Sequence, residues 1–428
     1  MIHAILTVLG TMAGFLLAEG LARVFLEPPA GYSLYNRDTA TAHTTLQMLV
    51  SDPRLVVRIQ PNAPGHDERG FRNREQVESA DVVVIGDSQT WGVNVSRSET
   101  WPSVLAAMSK VKAYSMSLGG WGPLQYELLA GEALALKPQA ILIGIYLGND
   151  LFDSCNHVYG TDSYVKYRHT DEDYSAALAD LLVRLEAANG YARVEDAHKQ
   201  LAEMGRVPRL WQELARRSLL IQILMTRGLL PSVPSVDELY LTADMTWALD
   251  HPEAAALYED GNRSTVLTFG YRGVAVDLQN ACIREGVRIT KDVLTALEAL
   301  SIRAGVQIGV VLIPTKEAVY AEIDPSLQRR LDSSFTDLVM NENAIKADLL
   351  GYCKVQRLVC MDAAIRMVEA VKNGSMLYRQ DSDGHPIAEG YRQIAWTARQ
   401  VLEQMRLPPS GSMVRMKTRG SEGVVVSQ

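Results

Sequence analysis

The sequence predicts an α/β protein built on a doubly wound parallel sheet, and three observations carry that expectation. Unbroken, β-branched-rich runs recur at Ala80–Ile85, Ala140–Leu147 and Val306–Ile313. Such runs suit strands buried on both faces, as in parallel sheets. Each ends in turn residues: Gly86-Asp87, Gly148-Asn149 and Pro314. Helical stretches lie between them, giving the strand, loop, helix, strand order of such sheets.

In chain order, Ala80–Ile85 is the first strand, Trp101–Ser109 a helix and Ala113–Leu118 the second strand. Tyr126–Leu136 is a helix closed by Lys137-Pro138, and Ala140–Leu147 is the third strand. From about Leu151 to Arg284 no strong strand signal appears. Leu178–Ala188, Val194–Met204 and Leu210–Arg227 read as helices there, interrupted by Pro231-Ser-Val-Pro234. A segment of that length is expected to be a helical cap or substrate-side subdomain. The sheet pattern resumes with a helix over Thr290–Ala304, a fourth strand over Val306–Ile313 and a fifth over Gln356–Met361. Ile387–Met405 is a final amphipathic helix, and no internal repeat is visible.

The expected divisions are an anchor helix at 1–27, a linker at 28–50, and a discontinuous sheet domain at 51–150 and 286–406. An insertion at 151–285 and a disordered tail at 407–428 complete them. The run Ile2–Leu26 is apolar but for His3, Glu19, Arg23 and small polar residues. As a helix it would rise about 37 Å, enough to cross a bilayer. A cleavable signal peptide competes with that reading, but no Lys or Arg precedes Arg23, and Leu17-Ala18-Glu19-Gly20 is a poor cleavage site. A buried soluble helix is the third reading. Arg23 on the C-terminal flank favours the cytoplasm for that side, in tension with the exported catalytic domain inferred below.

The 428 residues are 47% hydrophobic, enough for a sizeable core. Forty-two basic against 50 acidic residues leave a net charge of -8, which argues against a nucleic-acid partner. The cysteines are Cys155, Cys282, Cys353 and Cys360, with no CxxC pair and no nearby His cluster, so a structural zinc site is not expected. Cys353 and Cys360 can pair across a short loop in an oxidising compartment; buried free thiols are the alternative.

Four short segments carry the chemistry. Gly86-Asp87-Ser88 follows a buried strand, so Ser88 can project its hydroxyl at the sheet edge and lend its N–H to an oxyanion. The alternative is an ordinary helix N-cap. Gly119-Gly120-Trp121-Gly122 can free a backbone N–H, and Asn149 in Gly148-Asn149-Asp150 offers an amide donor; plain turns are the alternative for both. In Asp381-Ser382-Asp383-Gly384-His385-Pro386 a carboxylate two residues before His385 can orient the imidazole, which then takes a proton from a serine hydroxyl. Trp91, Trp121, Tyr126 and Tyr146 flank these segments, as sugar platforms or as core.

Taken together and in this order, the segments resemble the SGNH, or GDSL, family of serine hydrolases and its acyltransferase relatives. Gly86-Asp87-Ser88 matches the family's GDS block, with Gln89 where Leu is usual. Gly120 matches its second-block glycine, and Gly148-Asn149-Asp150 its third block. The last block departs from the usual Asp-x-x-His, because Ser382 stands three before His385. That makes Asp383 the preferred acid over Asp381, in an Asp-x-His form also found in family members that acetylate polysaccharides. The resemblance covers about residues 70–150 and 290–405. It implies a flavodoxin-like three-layer fold and no metal or organic cofactor. It also implies a Ser88–His385–Asp383 triad, with an oxyanion hole from Ser88, Gly120 and Asn149.

Three functions are then open. The first is an esterase acting on an acyl ester or acylated glycan. The second is an O-acyltransferase for an exported polysaccharide, which Pro314-Thr315-Lys316-Glu317 and the Asp-x-His form also fit. The third is an inactive glycan-binding scaffold. For the enzymes, the expected location is the bacterial inner membrane, with the catalytic domain periplasmic or extracellular.

Overall fold

The computed structural model describes residue 10 and residues 14–22, 48–161, 163–169, 171–188, 218–230, 236–261 and 263–405. A helical segment at 14–22 comes first. A hairpin follows, of β1 (Leu49–Asp52) and β2 (Val56–Ile59). Then come β3 (Val82–Gly86), α1 (Ser88–Trp91), α2 (Trp101–Ser109), β4 (Ala113–Ser117), α3 (Pro123–Ala133) and β5 (Ala140–Tyr146). The next stretch holds α4 (Asp150–Tyr159), α5 (Ser175–Ala188), α6 (Leu219–Thr226), α7 (Val236–Asp250), β6 (Ala256–Asp260), β7 (Arg263–Leu267) and α8 (Phe269–Ala275). The chain continues through α9 (Ala281–Ala304), β8 (Gln307–Ile313), α10 (Lys316–Ile323), α11 (Leu327–Arg330) and α12 (Ser333–Val355). It closes with β9 (Val359–Asp362), α13 (Ala364–Lys372) and α14 (Ala388–Gln404).

Five strands form one parallel sheet in the order β4-β3-β5-β8-β9. Counted within the sheet this is 2-1-3-4-5, the flavodoxin-like order. Helices α2 and α14 pack together on one face, and α3 and α9 on the other. Every residue of β3 and of β5 is therefore buried, which is why both are apolar throughout. The order reverses between β3 and β5, and at such a point a crevice opens at the C-terminal strand ends. Ser88 and Asn149 follow those two ends.

Several elements differ from the sequence expectation. Helix α9 starts at Ala281, not Thr290, so the boundary at 285/286 falls inside it. Its first turns are apolar only on the face carrying Cys282 and Ile283, which packs on Leu178 and Leu181 of α5. The 151–285 region is not wholly helical. It holds the β6–β7 hairpin, whose strands are short and carry charges that pair across the turn, Asp260 opposite Arg263. The last strand is Val359–Asp362, because α12 runs on to Val355. Residues 49 and 50, expected in the linker, belong to β1.

Disulfides join Cys155 to Cys282 and Cys353 to Cys360, so the free-thiol alternative does not hold. The first ties α4 to α9 and so clamps the two ends of the insertion together. Most of the expected anchor at 1–27 lies outside the described residues, as do the tail at 407–428 and the expected helix at 194–204. Among the described residues no helix is long and apolar enough to cross a membrane. Within 14–22, Leu16 and Leu17 are exposed, while Glu19 is buried and accepts from Ser218 Oγ and the Leu219 and Leu220 N–H groups at the start of α6.

Candidate active site

The chain leaves β3 through Gly86, where a Cβ would stand 2.0 Å from Thr90 Oγ1, so no side chain fits. Asp87 caps α1 by accepting from Gln89 N at 2.9 Å. Ser88 thus begins a one-turn helix at the sheet edge, half-buried, with its hydroxyl 3.3 Å from Asp87 Oδ2 and open to further partners.

Those partners come from the far end of the chain. His385 Nε2 lies 2.9 Å from Ser88 Oγ, and His385 Nδ1 lies 2.6 Å from Asp383 Oδ1. The same carboxylate oxygen accepts from the His385 backbone N–H at 2.9 Å, closing a tight turn around the imidazole. Asn94 Nδ2 donates to the other oxygen, Oδ2. Burial alone would raise the Asp383 pKa. The His385 charge, its hydrogen bonds and Asn94 outweigh that and hold the carboxyl well below the usual range. Asp381 does not reach the imidazole: it is held by Arg379 Nε at 2.6 Å and accepts from Asp383 N.

The loop 381–385 is fixed from beneath and from the side. Lys316, fully buried at the start of α10, donates to the carbonyls of Asp381 (3.0 Å) and Asp383 (3.1 Å) and to Thr265 Oγ1. Ser382 donates twice to Asp244 of α7. Strand β7 continues the support, since Val266 N donates to Gln380 O and Thr265 Oγ1 to Arg379 O. The insertion is therefore part of the frame that aims His385.

On the opposite side, a Cβ on Gly119 would lie 3.3 Å from Ser88 Cβ, so this glycine allows the loop after β4 to pass close to the serine. Gly120 is left-handed (φ 81), and its carbonyl accepts from His157 Nε2 at 3.2 Å. Burial lowers the His157 pKa, which favours the neutral ring. Asn149 donates through Nδ2 to Asp153 at 2.7 Å, leaving the second hydrogen of that amide for another acceptor. Asp150 points inward, where its carboxylate accepts from Tyr126 OH and Tyr146 N and pins the loop after β5.

Thus Ser88, His385 and Asp383 meet, and Gly119 stands against Ser88. Trp91, Trp121, Tyr126 and Tyr146 are each no more than 2% exposed, so they are core and offer no open face for a sugar. Trp121 instead donates to Val57 O. Asn94 and His157 were not visible as site residues in the sequence. Asn94 adopts φ 68, an ordinary turn signal that says nothing of its distant partner.

No protein-family model matches the chain, and no curated protein matches it. Among solved structures it is similar to a protein assigned to the lipolytic G-D-S-L family from Desulfitobacterium hafniense, at 13% identity and a TM-score of 0.33, over 75% of this chain and 98% of that one. An extracellular lipase from Streptomyces rimosus gives 12% identity and 0.33, over 76% and 99%. Phospholipase A1 from Streptomyces albidoflavus gives 11% and 0.30, over 76% and 99%.

Proposed function

We propose that this chain is a serine esterase of the SGNH type, working through an acyl-enzyme on Ser88. The observation that carries the reading is the continuous hydrogen-bonded path Asp383–His385–Ser88, with steps of 2.6 and 2.9 Å. Nothing in maintaining the fold requires a half-buried serine, imidazole and carboxylate to line up in this way.

In this reading His385 Nε2 takes the hydroxyl proton as Ser88 Oγ forms a bond to the ester carbonyl carbon. The carbonyl π electrons move onto oxygen, and the Ser88 and Gly120 backbone N–H groups and the Asn149 amide donate hydrogen bonds to the oxyanion so formed. Each such donor typically contributes about 3 kcal/mol of transition-state stabilisation. The ester C–O bond then breaks, and His385 returns its proton to the departing alcohol. Water, deprotonated by His385, repeats the sequence and releases the acid. Asp383 holds the imidazole tautomer with Nδ1–H toward itself and stabilises the cation that forms.

The O-acyltransferase reading shares every step except the last, in which a sugar hydroxyl replaces water. The two-residue spacing of Asp383 and His385 favours it, as noted for the polysaccharide-acetylating relatives. Membrane attachment and an exported catalytic domain remain part of the proposal. The Cys155–Cys282 and Cys353–Cys360 disulfides support export, because such bonds persist in oxidising compartments.

Incubating the protein with 4-nitrophenyl acetate and following intact mass tests the reading. An esterase is expected to show an acetyl adduct that clears in water. An adduct that clears only when an oligosaccharide acceptor is added would favour transfer. No adduct and no turnover of any ester would favour the inactive scaffold.

A further inference from the structure

We propose that Arg272, carried by the insertion on α8, binds a carboxylate on the substrate of the Ser88 site. The proposal rests on the ester-handling reading above and adds a substrate class to it, an acidic ester.

The guanidinium sits directly against the loop that holds His385: a Cβ added to Gly384 would come within 2.9 Å of Arg272 Nη2. It lies over the rings of Tyr146 (5.5 Å) and Tyr271 (5.1 Å), which restrict it to one region. Yet among the described residues its side chain donates no hydrogen bond, and no carboxylate lies within 4.0 Å of it; its buried Nε has no partner. Of the neighbouring acids, Asp383 accepts from His385 and Asn94, while Glu317 Oε1 accepts from Thr268 N at 2.7 Å and its buried Oε2 has no hydrogen-bond partner, so Glu317 offsets the Arg272 charge only at a distance. The buried Tyr146 hydroxyl, 3.5 Å from the same Gly384 position, also lacks a partner.

A half-buried guanidinium with no acceptor is costly, and its planar fork matches a carboxylate in two-point contact. The other arginines that touch the site-bearing loops are paired: Arg379 with Asp381, and Arg72 with the carbonyls of Trp91 and Val95. Arg272 alone among these points its charge at the catalytic loop without a protein acceptor. The fitting ligand is an ester whose carboxylate lies either on the acyl chain or on the sugar bearing the ester, as in a uronate.

Two substrate pairs distinguish those sources, measured on the full chain. One is 4-nitrophenyl hemisuccinate against 4-nitrophenyl 4-methylpentanoate, of like shape without charge. The other is the O-acetylated methyl glycoside of galacturonic acid, its C6 carboxylate free, against the O-acetylated methyl galactoside. In at least one pair the acidic member is expected to show a kcat/KM roughly tenfold to a hundredfold higher. Arg272→Gln should collapse that ratio, and Arg272→Lys should restore it only in part. Equal kcat/KM within both pairs, or a ratio that Arg272→Gln leaves intact, would overturn the proposal. If Arg272→Gln does not fold, Arg272→Lys alone decides by the same ratio. Calorimetric titration of the Ser88→Ala protein with succinate and galacturonate separates the two readings. Binding that Arg272→Gln abolishes, in a protein whose parent turns over no ester, upholds the carboxylate site and sinks the esterase. Turnover of both members at equal rates does the reverse.

Discussion

Lys316 Nζ donates to the main-chain carbonyl of Asp383 across 3.1 Å, tying the end of β8 to the loop that carries the imidazole. The lysine is fully buried, and burial lowers its pKa. Its donors go to two carbonyls and a threonine hydroxyl, not to a carboxylate. Lys316→Met keeps the volume but leaves those carbonyls unpaired, at about 1–3 kcal/mol each. Stability should fall, and kcat should drop about tenfold to a hundredfold with little change in KM, since the lysine aims His385 without touching substrate. Steady-state kinetics beside thermal unfolding check this. A rise in KM with kcat intact would place Lys316 in substrate binding instead.

Asn94 donates to the Asp383 oxygen that faces away from His385. Asn94→Ala removes one of the interactions that keep Asp383 ionised, and Asn94→Asp sets a second negative charge beside it. Activity should fall in the order Asn94, Asn94→Ala, Asn94→Asp, with the alanine variant down about tenfold. A pH–rate series for the three proteins tests the order. An aspartate variant as active as the parent would exclude this role.

Asp87 gives a pH-dependent stability. Burial pushes its pKa from 3.8 up to about 6 against the His385 charge and the Gln89 N–H. The folded state therefore holds the proton more tightly than the unfolded chain. That stabilising preference is complete below pH 3.8 and is lost as pH rises through about 6. Above that range the buried carboxylate is charged and opposes the fold. Asp87→Asn keeps an acceptor for Gln89 N and removes the charge. It should be the more stable protein at pH 8 and lose that advantage near pH 4, as denaturant unfolding at the two pH values would show. An advantage independent of pH would mean that Asp87 is not the source.

How much of this was legible depended on the kind of signal. Strands β3, β5 and β8 were readable because burial on both faces demands unbroken apolar runs, and Val82–Ile85, Ala140–Ile145 and Ile308–Ile313 supply them. Ser88, Asp383 and His385 were readable because their order and spacing form a pattern along the chain, though the sequence alone left Asp381 as an alternative. The β6–β7 hairpin was hidden by its charged turn, and the start of α9 by a narrow apolar stripe. Lys316 was noted only within a four-residue segment, since nothing local reveals that its ammonium lies beneath a loop 65 residues away in sequence. Arg272 belongs to an insertion with no pattern of its own, and only the fold sets its guanidinium beside Gly384.

The central claim is that Ser88 is a nucleophile activated by His385. Its most direct test is reaction with a fluorophosphonate, followed by intact mass and peptide mapping of the parent, Ser88→Ala and His385→Ala proteins. The expected result is one adduct, on Ser88, formed rapidly in the parent, absent in Ser88→Ala and slowed at least about a thousandfold in His385→Ala. Labelling at another residue, or an unreactive Ser88 in a folded parent protein, would contradict it.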